Sequence, residues 1–397
     1  MENDQELDVE RIATGGVVGR LSDGRVAFVR YALPGERVSV RITKERSRFV
    51  NADAVAIERE SADRVAAPCA YAHPEGCGGC DLQHVSPSAQ LAWKASLVTE
   101  HFERIAHLDV DVVVEECGPA AGSRTRLRCA VDGNGRIGLR RHHSNEIQAL
   151  AVCYLADPRL MEAFAQDWRG AREVELRAIG HEAPFAVVTM NDGTVVTTDL
   201  DGLMDEEPRR SYVEVGNERF RVGPKSFWQS HVRAPEVLTQ TVMDMAHVRK
   251  GDHVVDLYSG VGLFTLPLAR RVGNLGRVVS LESSKNSVAD ARRNLAGLDH
   301  ARVVDVAVNP RTATQAVEPG SVVVLDPPRA GAGVDVMKAI TKAEPRRIVY
   351  VSCDAATLAR DVAAAAESGW KLTKMRTLDL FPMTEHSEVV VCLDKRP

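Results

Sequence analysis

The stretch that decides the fold is HVVDLYSGVGLFTLPLA, residues 253–269. It opens as an apolar, β-branched run of strand length, passes Gly260 and Gly262, and continues into a helical segment. Helical segments also separate the apolar runs that follow it. This alternation predicts an α/β fold with a doubly wound, mostly parallel sheet, in which ligands bind where the strands end. The later runs are GRVVSLES, ARVVDVA, SVVVLDPP, RRIVYVSC and SEVVVCLD.

The upstream half of the chain has a different pattern. Residues 11–60 alternate apolar and polar positions and break at two turn segments, which predicts a small antiparallel β-barrel. A helix is predicted over 87–105, and residues 123–222 are predicted to be mainly strands, with one helix near 158–168. We therefore expect a barrel at 1–62, a mainly β central domain at 63–222 whose helix at 87–105 is able to pack on the third domain, and an α/β domain at 223–397.

The composition excludes some classes of protein. Lys and Arg number 50 against 55 Asp and Glu, so the formal charge of -5 predicts no overall basic surface, and any nucleic-acid contact must be local. The first residues, MENDQELDVE, lack the features of a secretory signal, and no apolar run reaches membrane-spanning length. We expect a cytoplasmic protein without a membrane partner. In a reducing compartment, its 8 cysteines indicate metal binding or catalysis rather than disulfide bonds.

Residues at the predicted strand ends suit a nucleoside ligand. Gly260 and Gly262 let the backbone approach a ligand closely, although a tight turn without a ligand is the alternative. Glu282 ends the second strand, where a carboxylate can accept hydrogen bonds from both ribose hydroxyls, and Asp305 ends the third, where it suits adenine or ribose. Leu263 crowds the loop in which a pyrophosphate would bind. The pattern favours S-adenosylmethionine, a nucleoside cofactor without phosphates.

The fourth predicted strand ends at a carboxylate. Asp326 precedes two prolines, which fix an extended exit from the strand and direct the carboxylate into the crevice. A rigid loop with an outward carboxylate is the alternative. Arg329 follows the prolines, where many enzymes that methylate a base amine carry an aromatic residue. This difference counts against methylation of a base amine.

Cys353 ends the fifth predicted strand, just before a helix. A lone cysteine is either an inert core residue or a nucleophile, and a helix start favours the thiolate. Uracil carbon 5 is a poor nucleophile until a thiolate adds to carbon 6, and a base must later remove the proton from carbon 5. Glu385, His386 and Glu388 are the candidates for that base.

Motifs in the last part of the chain occur in a recognisable order. DLYSGVGLFTLPLA, LDPPRAG, YVSCDAATLARD and FPMTEHSEVV resemble the S-adenosylmethionine-dependent RNA 5-methyluridine methyltransferase family, whose catalytic domain is a Rossmann-like class I methyltransferase. The resemblance implies that Cys353 attacks uracil carbon 6 and that Glu388 removes the carbon 5 proton. Leu263 departs from the family, whose members often carry Asn there. The residues that the resemblance implies for the methyl donor are Gln229, Tyr258, Glu282, Asp305 and Asp326.

The upstream half carries further resemblances. GGVVGRLSDGRVAFVRYALPGERVSVRITK is similar to a TRAM domain, a small OB-like RNA-binding barrel, and CAYAHPEGCGGCDLQH is similar to the cysteine cluster of iron-sulfur members of the family. The second resemblance implies a [4Fe-4S] cluster. Four thiolates also suit a tetrahedral zinc, and an empty cysteine cluster is the remaining alternative. The spacing between the first two cysteines is longer than the commonest family pattern. The implied ligands are Cys69, Cys77, Cys80 and Cys153.

Together these features predict an RNA uracil-C5 methyltransferase that forms 5-methyluridine in ribosomal RNA or transfer RNA. We expect a monomer that flips the target uridine out of its RNA fold, because a stacked base cannot present both reacting carbons. Arg124, Arg126 and Arg128 alternate along one strand, so they share a face that either holds RNA phosphates or is merely solvated. The alternatives are an RNA-binding iron-sulfur protein without methyltransferase activity, and an RNA methyltransferase that acts on a base amine.

Overall fold

The structure, a computed structural model, describes residues 5–395. The chain begins with a closed barrel of five strands, β1 (Gln5–Ala13), β2 (Gly16–Arg20), β3 (Val26–Arg30), β4 (Arg37–Glu45) and β5 (Phe49–Arg59). The predicted barrel is confirmed, but the prediction that it is antiparallel is wrong for one pair, since β3 and β5 run parallel. A closed ring with an odd number of strands cannot alternate direction throughout, so one neighbouring pair must be parallel.

The central part of the chain contains the predicted helix as α1 (Pro87–His101), which continues into a π-helical turn at Phe102–Ala106. A short strand, β6 (Val114–Glu116), follows. The helix expected near 158–168 is of the 3₁₀ type and spans Pro158–Ala165. The remaining strands form a six-stranded antiparallel sheet and a separate hairpin. They are β7 (Arg126–Val131), β8 (Ile137–Arg140), β9 (Ile147–Ala149), β10 (Ala171–Arg177), β11 (Phe185–Met190), β12 (Val195–Thr198), β13 (Ser211–Val215) and β14 (Glu218–Val222).

The last part of the chain forms the predicted α/β sheet. Its strands are β15 (His253–Leu257), β16 (Arg277–Glu282), β17 (Ala301–Asp305), β18 (Val322–Leu325), β19 (Arg347–Ser352), β20 (Trp370–Asp379) and β21 (Glu388–Lys395). The order across the sheet is β17-β16-β15-β18-β19-β21-β20-β6. The first five of these strands are parallel, and β21 lies antiparallel between β19 and β20. The order reverses between β15 and β18, which is where sheets of this type bind ligands.

Helices cover the buried, β-branched strands of this sheet on both faces. Side chains of Ser284 and Asp354 cap two of them by accepting backbone N–H groups from the first helical turn. No helix among the described residues has the length and apolar character needed to cross a membrane. The helices are α2 (Ala234–Ala246), α3 (Thr265–Val272), α4 (Lys285–Asn294), α5 (Pro310–Ala316), α6 (Val334–Lys342) and α7 (Ala355–Glu367).

Part of the upstream chain is built into this α/β unit. Strand β6 pairs in parallel with the end of β20 and forms the edge of the sheet. The end of α1 and its π-helical turn bury Val98, Phe102 and Ala106 in the same apolar core as β18 and β19. Residues before 223 therefore contribute directly to the unit that carries the predicted catalytic residues.

Candidate active site

A pocket of 710 Å³ opens at the carboxyl ends of β15, β16, β18 and β19. Its volume lies within the range of small-molecule sites. The start of β21 and the chain between residues 225 and 234 form its other sides. Both predicted catalytic residues and most of the predicted donor residues line this pocket: Cys353, Glu388, Gln229, Tyr258, Gly260, Glu282 and Asp326.

Two predicted donor residues are not among those that line the pocket. Gly262 has a φ of 92°, so it shapes the turn between β15 and α3 rather than the pocket wall. Asp305 is exposed at the end of β17, and Ala307 and Val308 line the pocket after the chain has left the sheet. The prediction placed the contact at the strand end, whereas the pocket is closed by the segment that follows.

Glu282 is held rigidly at the pocket wall by backbone donors. Its Oε2 accepts the N–H of Gly260 at 2.9 Å, and its Oε1 accepts those of Ser283 and Ser284 at 2.8 and 2.6 Å. Each carboxylate oxygen keeps further lone-pair capacity for a ligand. Gly260 has a φ of 56°, and a Cβ there would meet nothing within 4 Å. Glycine is thus favoured by the left-handed backbone at this turn, and the turn brings the amide to Glu282.

Three carboxyl groups lie in or behind the pocket, of which Asp256 and Glu388 are buried and Asp326 is half-buried. Burial raises the pKa of Asp256 to about 7, although the Thr265 hydroxyl donates to its Oδ2 at 2.5 Å. Burial, and then the charge of Asp256, raises the pKa of Asp326 to about 7. Burial, and then the charge of Asp326, raises the pKa of Glu388 well above its usual value. Because mutual repulsion opposes their ionisation, a cationic ligand such as a sulfonium would relieve it.

Asp256 was missed by the sequence analysis, although it lies in the stretch that decides the fold. The available signal was a single carboxylate inside an otherwise apolar strand run. Its Oδ1 is buried and has no hydrogen-bond partner in the structure. The carboxyl group of Asp256 therefore lies behind the pocket residues with one oxygen unpaired, and its charge acts on Asp326.

Cys353 follows β19 and is partly buried. Burial raises the pKa of its thiol to about 12, and the charges of Glu388 and Asp326 raise it further, against the lowering effect of Arg329. Burial and the nearby carboxyl groups thus act against the thiolate, which the helix start was expected to favour. At the start of the following helix, the backbone N–H of Thr357 already donates to the Asp354 carboxylate at 2.9 Å.

The three candidate bases have different surroundings. Glu385 accepts the N–H of Gly15 from the barrel at 2.8 Å, and the His386 ring accepts a hydrogen bond from Arg329 at 2.7 Å. Burial lowers the pKa of His386 to about 4, so its ring is neutral. Of the three candidates, Glu388 is the one that lines the pocket with Cys353.

A second cavity of 380 Å³ adjoins the 710 Å³ pocket, which we call the catalytic pocket because both predicted catalytic residues line it, and Leu380 and Phe381 line both spaces. All three of the arginines predicted to share a strand face line this second cavity, but β7 begins at Arg126, so Arg124 precedes the strand on which the prediction placed all three. Two of them are already paired, since Arg126 makes a bidentate contact with Glu175 at 2.9 and 2.7 Å, and Arg128 contacts Glu173 at 2.6 Å. The third arginine that lines this cavity is Arg124.

The predicted metal ligands come together in a small third cavity of 20 Å³. Among residues 5–395, no group of three or more His, Cys, Asp and Glu side chains is arranged to hold a metal ion. Burial raises the pKa of two of the thiols, to about 11 at Cys77 and about 12 at Cys80. Arg124 lines this cavity as well as the second one. The cysteines in the cavity wall are Cys69, Cys77, Cys80 and Cys153.

Family profiles match separate parts of the chain. The TRAM domain profile matches residues 4–55, and the tRNA (uracil-5-)-methyltransferase profile matches residues 318–396. The profile of protein-L-isoaspartate(D-aspartate) O-methyltransferase matches residues 187–321, which include the start of the α/β sheet.

Relatives match over nearly the whole chain. A protein of Streptomyces avermitilis described as an uncharacterized RNA methyltransferase is 39% identical, over 99% of this chain and 99% of its own. A 23S rRNA (uracil(1939)-C(5))-methyltransferase of Acinetobacter baylyi is 30% identical, over 94% of this chain and 89% of its own. The crystal structure of a Pyrococcus abyssi tRNA (uracil-54, C5)-methyltransferase in complex with S-adenosyl-L-homocysteine is 24% identical, with a TM-score of 0.73, and covers 98% of this chain and 100% of its own. That likeness shows a shared fold.

Proposed function

The chain belongs to the S-adenosylmethionine-dependent RNA (uracil-5-)-methyltransferase family, and we propose that it methylates a uridine of ribosomal RNA through a covalent bond between Cys353 and uracil carbon 6. The observation that carries this proposal is the meeting of a thiol and a carboxyl group, Cys353 and Glu388, in the pocket that also contains Glu282. Ribosomal RNA is favoured because a relative named for 23S rRNA matches nearly the whole chain. We expect the enzyme to act as a cytoplasmic monomer.

The pocket divides into a donor end and a reaction end. S-adenosylmethionine supplies an electrophilic methyl group on a sulfonium. Glu282 would accept hydrogen bonds from the ribose hydroxyls, because its carboxylate is already fixed at the wall. Asp326 and Gln229, which contact each other at 3.5 Å, would face the sulfonium side of the donor. The positive charge of the donor would favour ionisation of the nearby carboxyl groups and oppose their effect on the thiol.

The proposed chemistry begins when the Cys353 thiolate adds to uracil carbon 6. Addition moves an electron pair toward carbon 5 and the adjacent carbonyl oxygen, and Arg329 is placed to offset the developing charge. Carbon 5 then takes the methyl group of S-adenosylmethionine, and the electron pair of the broken carbon–sulfur bond stays on sulfur, so that S-adenosylhomocysteine leaves as a neutral thioether. The Glu388 carboxylate removes the carbon 5 proton, and the thiolate leaves as the ring double bond forms again. A raised pKa makes the Glu388 carboxylate a stronger base once it is ionised.

The RNA would approach from the side of the arginine-lined cavity. Phe227 lines the catalytic pocket, is 53% exposed, and lies under the Arg126 guanidinium at 5.3 Å. An exposed aromatic ring at the mouth of the pocket can stack on a base beside the flipped uridine. Arg124, together with the barrel, would contact phosphates, since two of the three arginines already have carboxylate partners.

The donor set of the third cavity supports a [4Fe-4S] cluster. Its four thiols are free of competing carboxylate or imidazole in the cavity wall, and the N–H of Gly79 bonds the Cys77 sulfur at 3.4 Å. Four thiols in one cavity can supply the four ligands of such a cluster, and a tetrahedral zinc held by the same four thiols is the alternative. We propose that the cluster stabilises the segment beside Arg124 and takes no part in methyl transfer.

Trapping with 5-fluorouridine RNA tests the nucleophile and the substrate together. Fluorine at carbon 5 cannot leave as a proton does, so the methylated adduct stalls on the enzyme. The substrate is ribosomal RNA that lacks natural methylation and contains 5-fluorouridine in place of uridine. In the presence of S-adenosylmethionine, it should form a denaturant-resistant complex with the wild type and with Cys117→Ala, but not with Cys353→Ala. Transfer RNA that traps while ribosomal RNA does not would reassign the substrate. A wild type that methylates RNA but never traps would overturn the thiol assignment.

A further inference from the structure

The loop at residues 380–387, between β20 and β21, separates the catalytic pocket from the arginine-lined cavity. Leu380 and Phe381 line both spaces, and Glu388 follows the loop directly. The position of this loop therefore sets the pocket wall and the place from which Glu388 acts.

A buried lysine from the upstream half of the chain holds the start of this loop. Lys94 lies on α1 with 0% of its side chain exposed. Its Nζ donates to the Asp379 carboxylate at 2.5 Å and to the carbonyl oxygen of Phe381 at 2.9 Å. A fully buried ammonium is costly without partners, and these two acceptors lie at the point where β20 becomes the loop. Removing Lys94 would leave both acceptors without this donor.

Other upstream segments hold the rest of the loop. Gln90, one turn before Lys94 on α1, accepts the N–H of Met383 at 3.2 Å. The carbonyl oxygen of Met383 accepts the N–H groups of Asp81 and Leu82, both at 2.9 Å. Met383 has a φ of 64°, a conformation that a residue with a Cβ keeps only when its surroundings enforce it. The loop is therefore held in one shape by groups outside the α/β sheet.

We propose that Lys94 is a positioning residue of the methyltransferase: it fixes the start of the 380–387 loop so that Phe381 forms the pocket wall and Glu388 faces Cys353. The inference rests on the proposed function, because it assigns Lys94 a role in the step that Glu388 performs. Helix α1 would then contribute to catalysis through Lys94, in addition to packing against the α/β sheet. Lys94 lines neither the catalytic pocket nor the arginine-lined cavity, so it acts through the loop.

The experiment compares Lys94→Met with the double variant Lys94→Met/Asp379→Asn. The single variant leaves the Asp379 carboxylate buried without its ammonium, which destabilises the protein, whereas the double variant removes that charge. The matched control is Lys338→Met, because Lys338 is 52% exposed and pairs at 3.5 Å with Glu367 on the surface. Each protein is assayed for thermal unfolding, S-adenosylmethionine binding, and steady-state methylation of unmodified ribosomal RNA.

The positioning role predicts that the double variant regains the unfolding temperature of the wild type but not its kcat. In both Lys94 variants kcat should fall by about tenfold or more, while the dissociation constant of S-adenosylmethionine changes by less than about twofold. Covalent complexes with ordinary uridine RNA should accumulate, because proton removal by Glu388 becomes slow. Lys338→Met should match the wild type.

Other outcomes overturn the assignment. A double variant that regains both stability and kcat shows that Lys94 serves folding alone, and a double variant that fails to fold contradicts the prediction that removing the buried charge restores the unfolding temperature. A Lys94→Met protein with the kcat of the wild type directly contradicts the positioning role of Lys94. A wild type that methylates no RNA at all is a failure of the proposed function instead, and is distinguishable because it appears before any variant is compared.

Discussion

The catalytic pocket and the cysteine cavity both contain partly buried thiols and are both built from distant parts of the chain, but by different means. In the pocket, parallel strands deliver Cys353 and Asp326 to one edge of a sheet. In the cavity, Cys77 and Cys80 lie on irregular chain that no long helix or strand holds. Thiol pKa values are raised in both places, chiefly by burial. The neighbours distinguish the two sites, since Cys353 faces carboxyl groups whereas the cavity cysteines face one another.

The largest expected effect separates the reactive thiol from a merely buried one. Cys353→Ala should reduce RNA methylation by more than about a thousandfold, because the nucleophile that activates carbon 5 is lost. S-adenosylmethionine binding and the unfolding temperature should be retained. Cys117→Ala, which changes a partly buried thiol outside the pocket, should methylate like the wild type. Measurable RNA methylation by Cys353→Ala would contradict the assignment of Cys353 as the nucleophile, since the reaction would then not need its thiol.

The next prediction sharpens the reaction end of the pocket. Glu388→Gln should reduce kcat by about a hundredfold or more, because an amide cannot remove the carbon 5 proton. The thiol can still add to carbon 6, so a covalent complex with ordinary uridine RNA should accumulate on denaturing gels. Glu385→Gln is the matched control, because its carboxyl group contacts the barrel and does not line the pocket. Equal losses in the two variants would contradict the choice of Glu388.

The third prediction concerns the cysteine cavity. The protein purified without oxygen should be brown and carry about four irons per chain, and Cys80→Ser should lose most of that iron. Its unfolding temperature should fall, because a bound cluster stabilises the folded state that holds it. Cys129→Ser, a buried cysteine outside that cavity, should keep the iron. A colourless protein with one zinc per chain would show that these cysteines hold a single zinc ion and not an iron-sulfur cluster.

The smallest expected effect is a pH dependence of donor binding. Asp256 and Asp326 have pKa values raised to about 7, so their carboxyl groups are neutral below that pH and ionised above it. A cationic donor prefers the ionised pocket, so its dissociation constant should fall by about tenfold between about pH 6 and pH 8. Asp326→Asn should flatten this profile. S-adenosylhomocysteine lacks the sulfonium charge and should vary less, and identical profiles for the two ligands would contradict the electrostatic argument.

Much of the catalytic pocket could be predicted because its residues follow from strand ends. Tyr258, Glu282 and Cys353 each come directly after or at the end of an apolar run, and parallel strands place such positions at one edge. Asp305 fits the same pattern but lies outside the pocket lining, because the chain beyond the strand decides which atoms close the space. The rule therefore locates the edge of the sheet better than it locates the contacts.

The local sequence pattern was enough to indicate the doubly wound sheet, the barrel and the order of the site residues along the chain. The reason is that short segments of sequence show the hydrophobic periodicity of strands and helices. The parallel closure of β3 on β5, the placement of β6 in the catalytic sheet and the burial of Lys94 against Asp379 came only from the tertiary structure. The same holds for the raised pKa of Cys353 and Glu388. The physical reason is that burial and charge interactions depend on which distant groups lie near each other in space, and short-range sequence patterns do not encode those distances.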